Sequence, residues 1–249
     1  MVTVETTETP SLVDLDAAYA RLHGGIERLP DFCPVVLPTD LTQATGSYAG
    51  KTLELRAVAF RARGVRYGRL VRIDGPGTWI LNAVVFPEDG YTFPILGIEL
   101  LVFRERMHLI VADLFPLEEQ DEGVMDDLAP HFDQVGTPPE MPTWARNIFS
   151  RRPIFRKPGS TSELTAGARA VDAVSFRWLA RVHDAAPAAR AALAAEARRR
   201  RDAYICAHVE DEPAHPFLGK AFGAELGERL VSVLLFPARG GPTPAPPRR

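Results

Sequence analysis

Glu99 is the residue of this chain whose setting most needs a chemical explanation. It falls within ILGIELLVF, inside the largely apolar stretch from Trp79 to Pro116. A lone acid in a strand-like apolar run is costly to bury unless it is paired, protonated or used in a reaction. Ile98 and Leu100 flank it, and an alternating strand sends both to one face and Glu99 to the other. Burial raises the pKa of a carboxyl group, so an acid held this way can stay protonated. Other chemistries find little support in the residues. There is no GxGxxG after a strand, no P-loop, no GxSxG and no HExxH. Cys33 and Cys206 lie far apart and the six histidines are scattered. Neither a zinc nor an iron–sulfur site is expected.

The elements that must position Glu99 are strands joined by short turns. Lys51 to Ala59 alternates, with Leu53, Leu55 and Ala57 opposite Thr52, Glu54 and Arg56. Val65 to Ile73 reads as a second strand, ended by the turn Asp74-Gly75-Pro76-Gly77. Trp79 to Phe86, Phe93 to Phe103 and Met107 to Phe115 follow, and their short connections favour antiparallel pairing. Before them, Leu12, Leu15, Ala18, Tyr19 and Leu22 have helical spacing. That helix begins near Ser11 and stops at Gly24-Gly25 or soon after, before Pro30. After the strands the chain turns helical. Asp121 to Phe132 is an acidic helix, and a Pro-rich loop, TPPEMPTW, follows it. Ser160 to His183 contains a helix with Thr161 and Ser162 as caps. Ala185 to Val209 is long and Ala/Arg-rich, with a break near Pro187. Pro216 to Leu235 is the last helix. Strands first and helices after predict an α+β fold in which helices cover one antiparallel sheet. Residues 1–11 and 238–249 are expected to be disordered, leaving a single domain over 12–237.

A net charge of −3 argues against a nucleic-acid binder. No apolar run approaches the roughly 20 residues of a membrane helix. The first residues, MVTVETTETP, lack the basic-then-apolar order of a secretory signal. A cytoplasmic, monomeric protein is expected.

Three blocks give the chain a family resemblance. They are ILNAVVFPEDGYTFPILGIELL followed by IVADLFP, then MPTWARNIFSRRPIF, then YICAHVEDEPAHPFLGKAFGAELGERLVSVLLFP. In this order and spacing the chain resembles the ferredoxin-dependent bilin reductases, over nearly its whole length. The resemblance implies a three-layer α/β/α sandwich with a central antiparallel sheet. It implies a linear tetrapyrrole, biliverdin or a relative, held between sheet and C-terminal helices. It also implies reduction without a tightly bound cofactor or metal. Electrons then come singly from reduced ferredoxin, through a transient electrostatic contact, and the bilin passes through a radical while side chains deliver protons.

On that resemblance Glu99 stands where the family has a central-strand acid, usually Asp. Glu212, or its neighbour Asp211, stands where relatives carry an acid on the helix side of the bilin. Asn82 stands where the phycocyanobilin-forming branch has a His, and Val65 to Ile73 offers no equivalent of that branch's additional Glu. A two-electron reduction is therefore expected rather than a four-electron one. Two other readings stay open: a bilin-binding protein with little catalysis, and a reductase resembling those of red chlorophyll catabolite. Arg146, Arg151, Arg152, Arg156 and Lys157 cluster after Trp144, and could face bilin propionates or an acidic ferredoxin. Tyr204 is a candidate for the pocket wall or for helix packing. Asp113 is expected to accept backbone hydrogen bonds at a strand end. The run Arg198 to Arg201 distributes around a helix and reads as a solvated face.

Overall fold

The computed structural model describes residues 13–103, 106–146, 148–210 and 214–236. Both expected disordered tails, and the expected helix start near Ser11, lie outside these residues. Helix α1 (Val13–Glu27) is followed by β1 (Cys33–Pro34), the short α2 (Thr39–Thr42) and β2 (Gln43–Tyr48). The meander β3 (Lys51–Ala62), β4 (Val65–Gly75), β5 (Thr78–Pro87), β6 (Ile95–Phe103) and β7 (Arg106–Phe115) comes next. Then come α3 (Thr143–Arg146), β8 (Ile154–Arg156), α4 (Thr161–His183), α5 (Ala191–Glu210), α6 (Ala214–Phe222), α7 (Ala224–Arg229) and a π-helix, Leu230–Leu235. The sheet runs β1-β3-β4-β5-β6-β7-β8, with β2 also paired to β3, and every pairing is antiparallel.

Each face of the sheet buries its own core, which makes the molecule an α/β/α sandwich. Leu70, Leu81, Ala83, Ile98, Leu100 and Ala112 point to the face covered by α1 and α4, where they meet Leu15, Leu22, Val174 and Trp178. Tyr67, Val71, Ile73, Ile80 and Val84 point the other way, under Tyr204, Leu218, Leu230 and Leu234 of the C-terminal helices. Strand periodicity alone produces this division.

The helices after the sheet differ from their sequence reading in instructive ways, whereas α1 ends at Glu27, soon after Gly24-Gly25 and before Pro30 as expected, and lies close against α4. A Cβ on Gly25 would sit 2.5 Å from Leu179 Cδ1. The N-cap of α4 is Ser160, whose hydroxyl accepts from Glu163 N at 3.3 Å, rather than Thr161 or Ser162. The acidic stretch forms two 3-10 turns, Glu119–Asp121 and Asp126–His131. The last helix breaks into α6, α7 and the π-helix; the first break falls at Gly223, whose φ of 92° is a left-handed conformation that ends α6. α5 starts only at Ala191, beyond the break expected near Pro187.

Candidate functional site

Strand register brings the site together. Val71, Asn82, Glu99 and Val111 are successive cross-strand partners on β4, β5, β6 and β7, so they form one row across the sheet. All four line a cavity of about 600 Å³ between the sheet and the C-terminal helices. That volume lies within the usual range for small-molecule sites, ~300–1,000 Å³. The next row outward, Ile73, Ile80, Leu101 and Leu109, makes an apolar floor. Leu218 and Leu235 belong to the cover. Phe103, Phe149, Phe155 and Phe217 contribute aromatic walls, suited to a flat conjugated ligand. Tyr48, Glu140 and Lys157 add polar groups to an otherwise greasy lining. Glu99 is half-buried among these apolar walls, an acid on the cavity floor rather than on an outer edge.

The row on the other side of Asn82 and Glu99 is Arg69, Val84, Gly97 and Asp113. Its two charged members are almost fully buried, at 1% and 2% exposure. Arg69 Nε donates to the Leu235 carbonyl at 3.0 Å, and a terminal nitrogen donates to Asn82 Oδ1. Asp113 accepts from the Ser150 backbone N–H at 2.6 Å and from the Ser150 hydroxyl, which agrees with the strand-end role read from the sequence. Burial pushes its carboxyl up to about 6, and the bonds from Ser150 and Leu114 only partly oppose this. Tyr204 lies close over Gly97: a Cβ there would come 3.3 Å from the Tyr204 hydroxyl.

Tyr204 is buried and packs on Phe115, Phe86 and His208, with ring centres 5.0, 6.1 and 4.1 Å apart. The His208 ring donates from Nδ1 to the Tyr204 carbonyl at 3.1 Å. Burial drives its pKa down to about 4, and the Arg69 charge adds to the effect. These two residues support the floor and are not among the described residues lining the cavity.

The basic residues after Trp144 separate in space. Lys157 lines the cavity. Arg146 donates to the Met141 carbonyl at 3.3 Å and Arg152 pairs with Asp126 at 3.2 Å. Arg151 is exposed, and none of these three is among the described lining residues. Asp211 and Glu212 lie outside the described residues, while Ala214, just after them, lines the cavity. The arginine run spreads around α5 as its helical setting requires. Arg199 and Arg200 pair with Glu196, whereas Arg201, 3% exposed, is locked onto Asp89, Asp202 and the Pro87 carbonyl. Arg201, and in part the half-buried Arg200 with its second partner Glu122, depart from a solvated face. Sequence reasoning missed Arg69. The signal available was its place in Tyr67-Gly68-Arg69-Leu70-Val71, where period two sets it on the same face as Tyr67 and Val71. Among the described residues no group of three or more His, Cys, Asp or Glu side chains could hold a metal, and no helix is long and apolar enough to cross a membrane.

Comparison with known proteins gives a consistent result. The family model described as ferredoxin-dependent bilin reductase matches residues 20–237. A phycocyanobilin:ferredoxin oxidoreductase from Prochlorococcus marinus (strain MIT 9313) is 25% identical over 240 residues, covering 93% of this chain and 89% of the relative. A 15,16-dihydrobiliverdin:ferredoxin oxidoreductase from Synechococcus sp. (strain CC9902) is 28% identical over 218 residues, covering 83% and 91%. The fold matches the crystal structure of tomato phytochromobilin synthase in complex with biliverdin, with a TM-score of 0.76 at 19% identity over 88% of this chain and 82% of that one.

Proposed function

The chain belongs to the ferredoxin-dependent bilin reductase family, and we propose that it reduces biliverdin or a related linear tetrapyrrole in the cavity between β4–β7 and the C-terminal helices, with Glu99 as a proton donor. The observation that carries this reading is the pairing of Asn82 with Glu99 on the floor of an aromatic-walled cavity. The reaction adds two electrons and two protons across one double bond of the bilin. Each reduced ferredoxin gives up one electron and is itself oxidised. The first electron makes a bilin radical, and a proton keeps it from returning the electron. Glu99 supplies that proton and recovers one from solvent. Asn82 hydrogen-bonds the tetrapyrrole, and Lys157 pairs with a carboxylate of the bilin side chains. Glu212, or Asp211, supplies the second proton, the role that the family resemblance implies for it. No resident cofactor is needed, because the substrate itself holds the unpaired electron.

An asparagine at position 82, where the phycocyanobilin-forming branch carries a proton-bearing His, favours the two-electron reaction. The test is an anaerobic incubation of the protein with biliverdin and reduced ferredoxin, followed by product chromatography. The expected result is consumption of biliverdin and a product heavier by two hydrogens. A bilin spectrum that changes no more than in the ferredoxin-only control would overturn the reading.

A further inference from the structure

Arg69 is buried beneath the cavity yet is not among the described residues that line it. A guanidinium carries five N–H donors and no acceptor, so in a buried place it must be met by oxygen atoms or ring faces. Arg69 meets the Leu235 carbonyl through Nε at 3.0 Å and the Phe236 ring, whose centre is 5.5 Å from its guanidinium carbon. A terminal nitrogen meets Asn82 Oδ1. This last contact decides the orientation of an amide. Since a guanidinium cannot accept, the Asn82 atom turned toward it is the carbonyl oxygen, and the NH2 group is turned away. β4, which carries Arg69, and β6, which carries Glu99, lie on opposite sides of β5. An NH2 group turned away from Arg69 is available to the Glu99 side of the cavity.

We infer that Arg69 is a positioning residue for the reduction: it holds Asn82 with its amide donors toward Glu99 and the bound tetrapyrrole, and it couples that orientation to the seating of the covering π-helix through Leu235. The inference rests on the reading of the cavity as the bilin site. An asparagine free to flip offers either a donor or an acceptor at the same place, and the two have opposite effects on a neighbouring carboxyl or ring carbonyl. Fixing the donor form in advance removes a reorganisation from the reaction step. A lysine does not reproduce the arrangement, because a single ammonium lacks the rigid plane that reaches Asn82 and Leu235 together. Tyr67 provides an internal control. Its hydroxyl donates to the Leu234 carbonyl at 2.7 Å, one residue earlier in the same helix, so it clamps the cover without touching Asn82.

The test compares Arg69→Met, Arg69→Lys, Asn82→Ala, the double variant Arg69→Met/Asn82→Ala, and Tyr67→Phe. The readouts are the Kd and absorption spectrum of bound biliverdin, which need no turnover, and kcat with reduced ferredoxin. Arg69→Met is expected to lower kcat by about tenfold to a hundredfold, the scale of a misplaced reacting group. Its Kd for biliverdin is expected to stay within about threefold of the unaltered protein's. Its bound-bilin spectrum shifts in the direction seen for Asn82→Ala, and the double variant is no slower than the slower single. Arg69→Lys keeps the defect and carries the test if Arg69→Met does not fold. Tyr67→Phe lowers the melting temperature without shifting the spectrum. An unshifted spectrum in both Arg69 variants, or kcat losses that multiply in the double variant, overturns the inference and leaves Arg69 a clamp on the helix. Failure of the unaltered protein to reduce any bilin counts instead against the bilin reading itself.

Discussion

Asn82 and Glu99 stand directly opposite each other on β5 and β6, and both side chains open into the same cavity. Directly paired side chains in an antiparallel ladder are about 4.5–5.5 Å apart at Cβ, close enough to share one substrate atom or one proton. Glu99→Gln keeps the shape and removes the exchangeable acid proton. It is expected to bind biliverdin with little change in affinity and to lower the reduction rate by about a hundredfold or more, the range for loss of a general acid. Stopped-flow absorbance under reduced ferredoxin checks this. The variant takes up an electron and stalls, whereas an unchanged rate removes Glu99 from the reaction.

Lys157 is the member of the basic cluster that lines the cavity. Lys157→Ala is expected to raise the KM for biliverdin by about tenfold or more while leaving kcat nearly unchanged. The magnitude follows from a charge-assisted hydrogen bond of about 1.5–3 kcal/mol. Arg151→Ala, at an exposed position, is expected to leave the KM for biliverdin unchanged. Steady-state kinetics at fixed ferredoxin separates the two.

Asp113 and His208 set opposing slopes in stability against pH. Asp113 has its folded pKa raised from 3.8 to about 6. Between these values the native state holds a proton that the unfolded chain has released, so stability falls as pH rises, by about 3 kcal/mol in total. His208 has its folded pKa lowered from 6.5 to about 4. In that window the unfolded chain holds the extra proton, so stability rises with pH by a similar amount, about 3 kcal/mol. From pH 4 to 6 the two nearly cancel. Asp113→Asn is expected to expose the His208 slope, with stability lost steeply as pH falls from 6 to 4. His208→Gln exposes the Asp113 slope, with stability lost as pH climbs over the same interval. Urea titrations at several pH values measure both, and a pair of variants with parallel profiles would contradict the assignment.

Gly46 couples the edge of the sheet to the cavity cover. A Cβ there would lie 2.3 Å from the Ala221 carbonyl and 2.5 Å from the Phe222 ring, so α6 has to move. α6 carries Phe217 and Leu218 of the cavity lining. Gly46→Ala is expected to cost about 1–3 kcal/mol of stability by overpacking and to weaken biliverdin binding. Thermal melts and absorption titration check the two effects, which should appear together.

The central strands and their two faces were legible from period two alone: Leu53, Leu55 and Ala57 are buried against exposed Thr52, Glu54 and Arg56, as their alternation requires. So was the separation of Glu99 from Ile98 and Leu100. The edge strands were not. β2 (QATGSY) and β8 (IFR) are short, and β2 is largely exposed, so neither has a pattern to read. The sequence by itself determined which residues face which side of the sheet, because the strand repeat is local. Only the tertiary structure decided which of them share a row. Register joins residues far apart in the chain, and a shift of one position would send every side chain to the other face. Pairing thus set Asn82 beside Glu99, the folding of the C-terminal helices brought the Leu235 carbonyl to Arg69, and Lys157 met the cavity while Arg152 met Asp126. These neighbours come from non-local packing, which leaves no period in the chain to read.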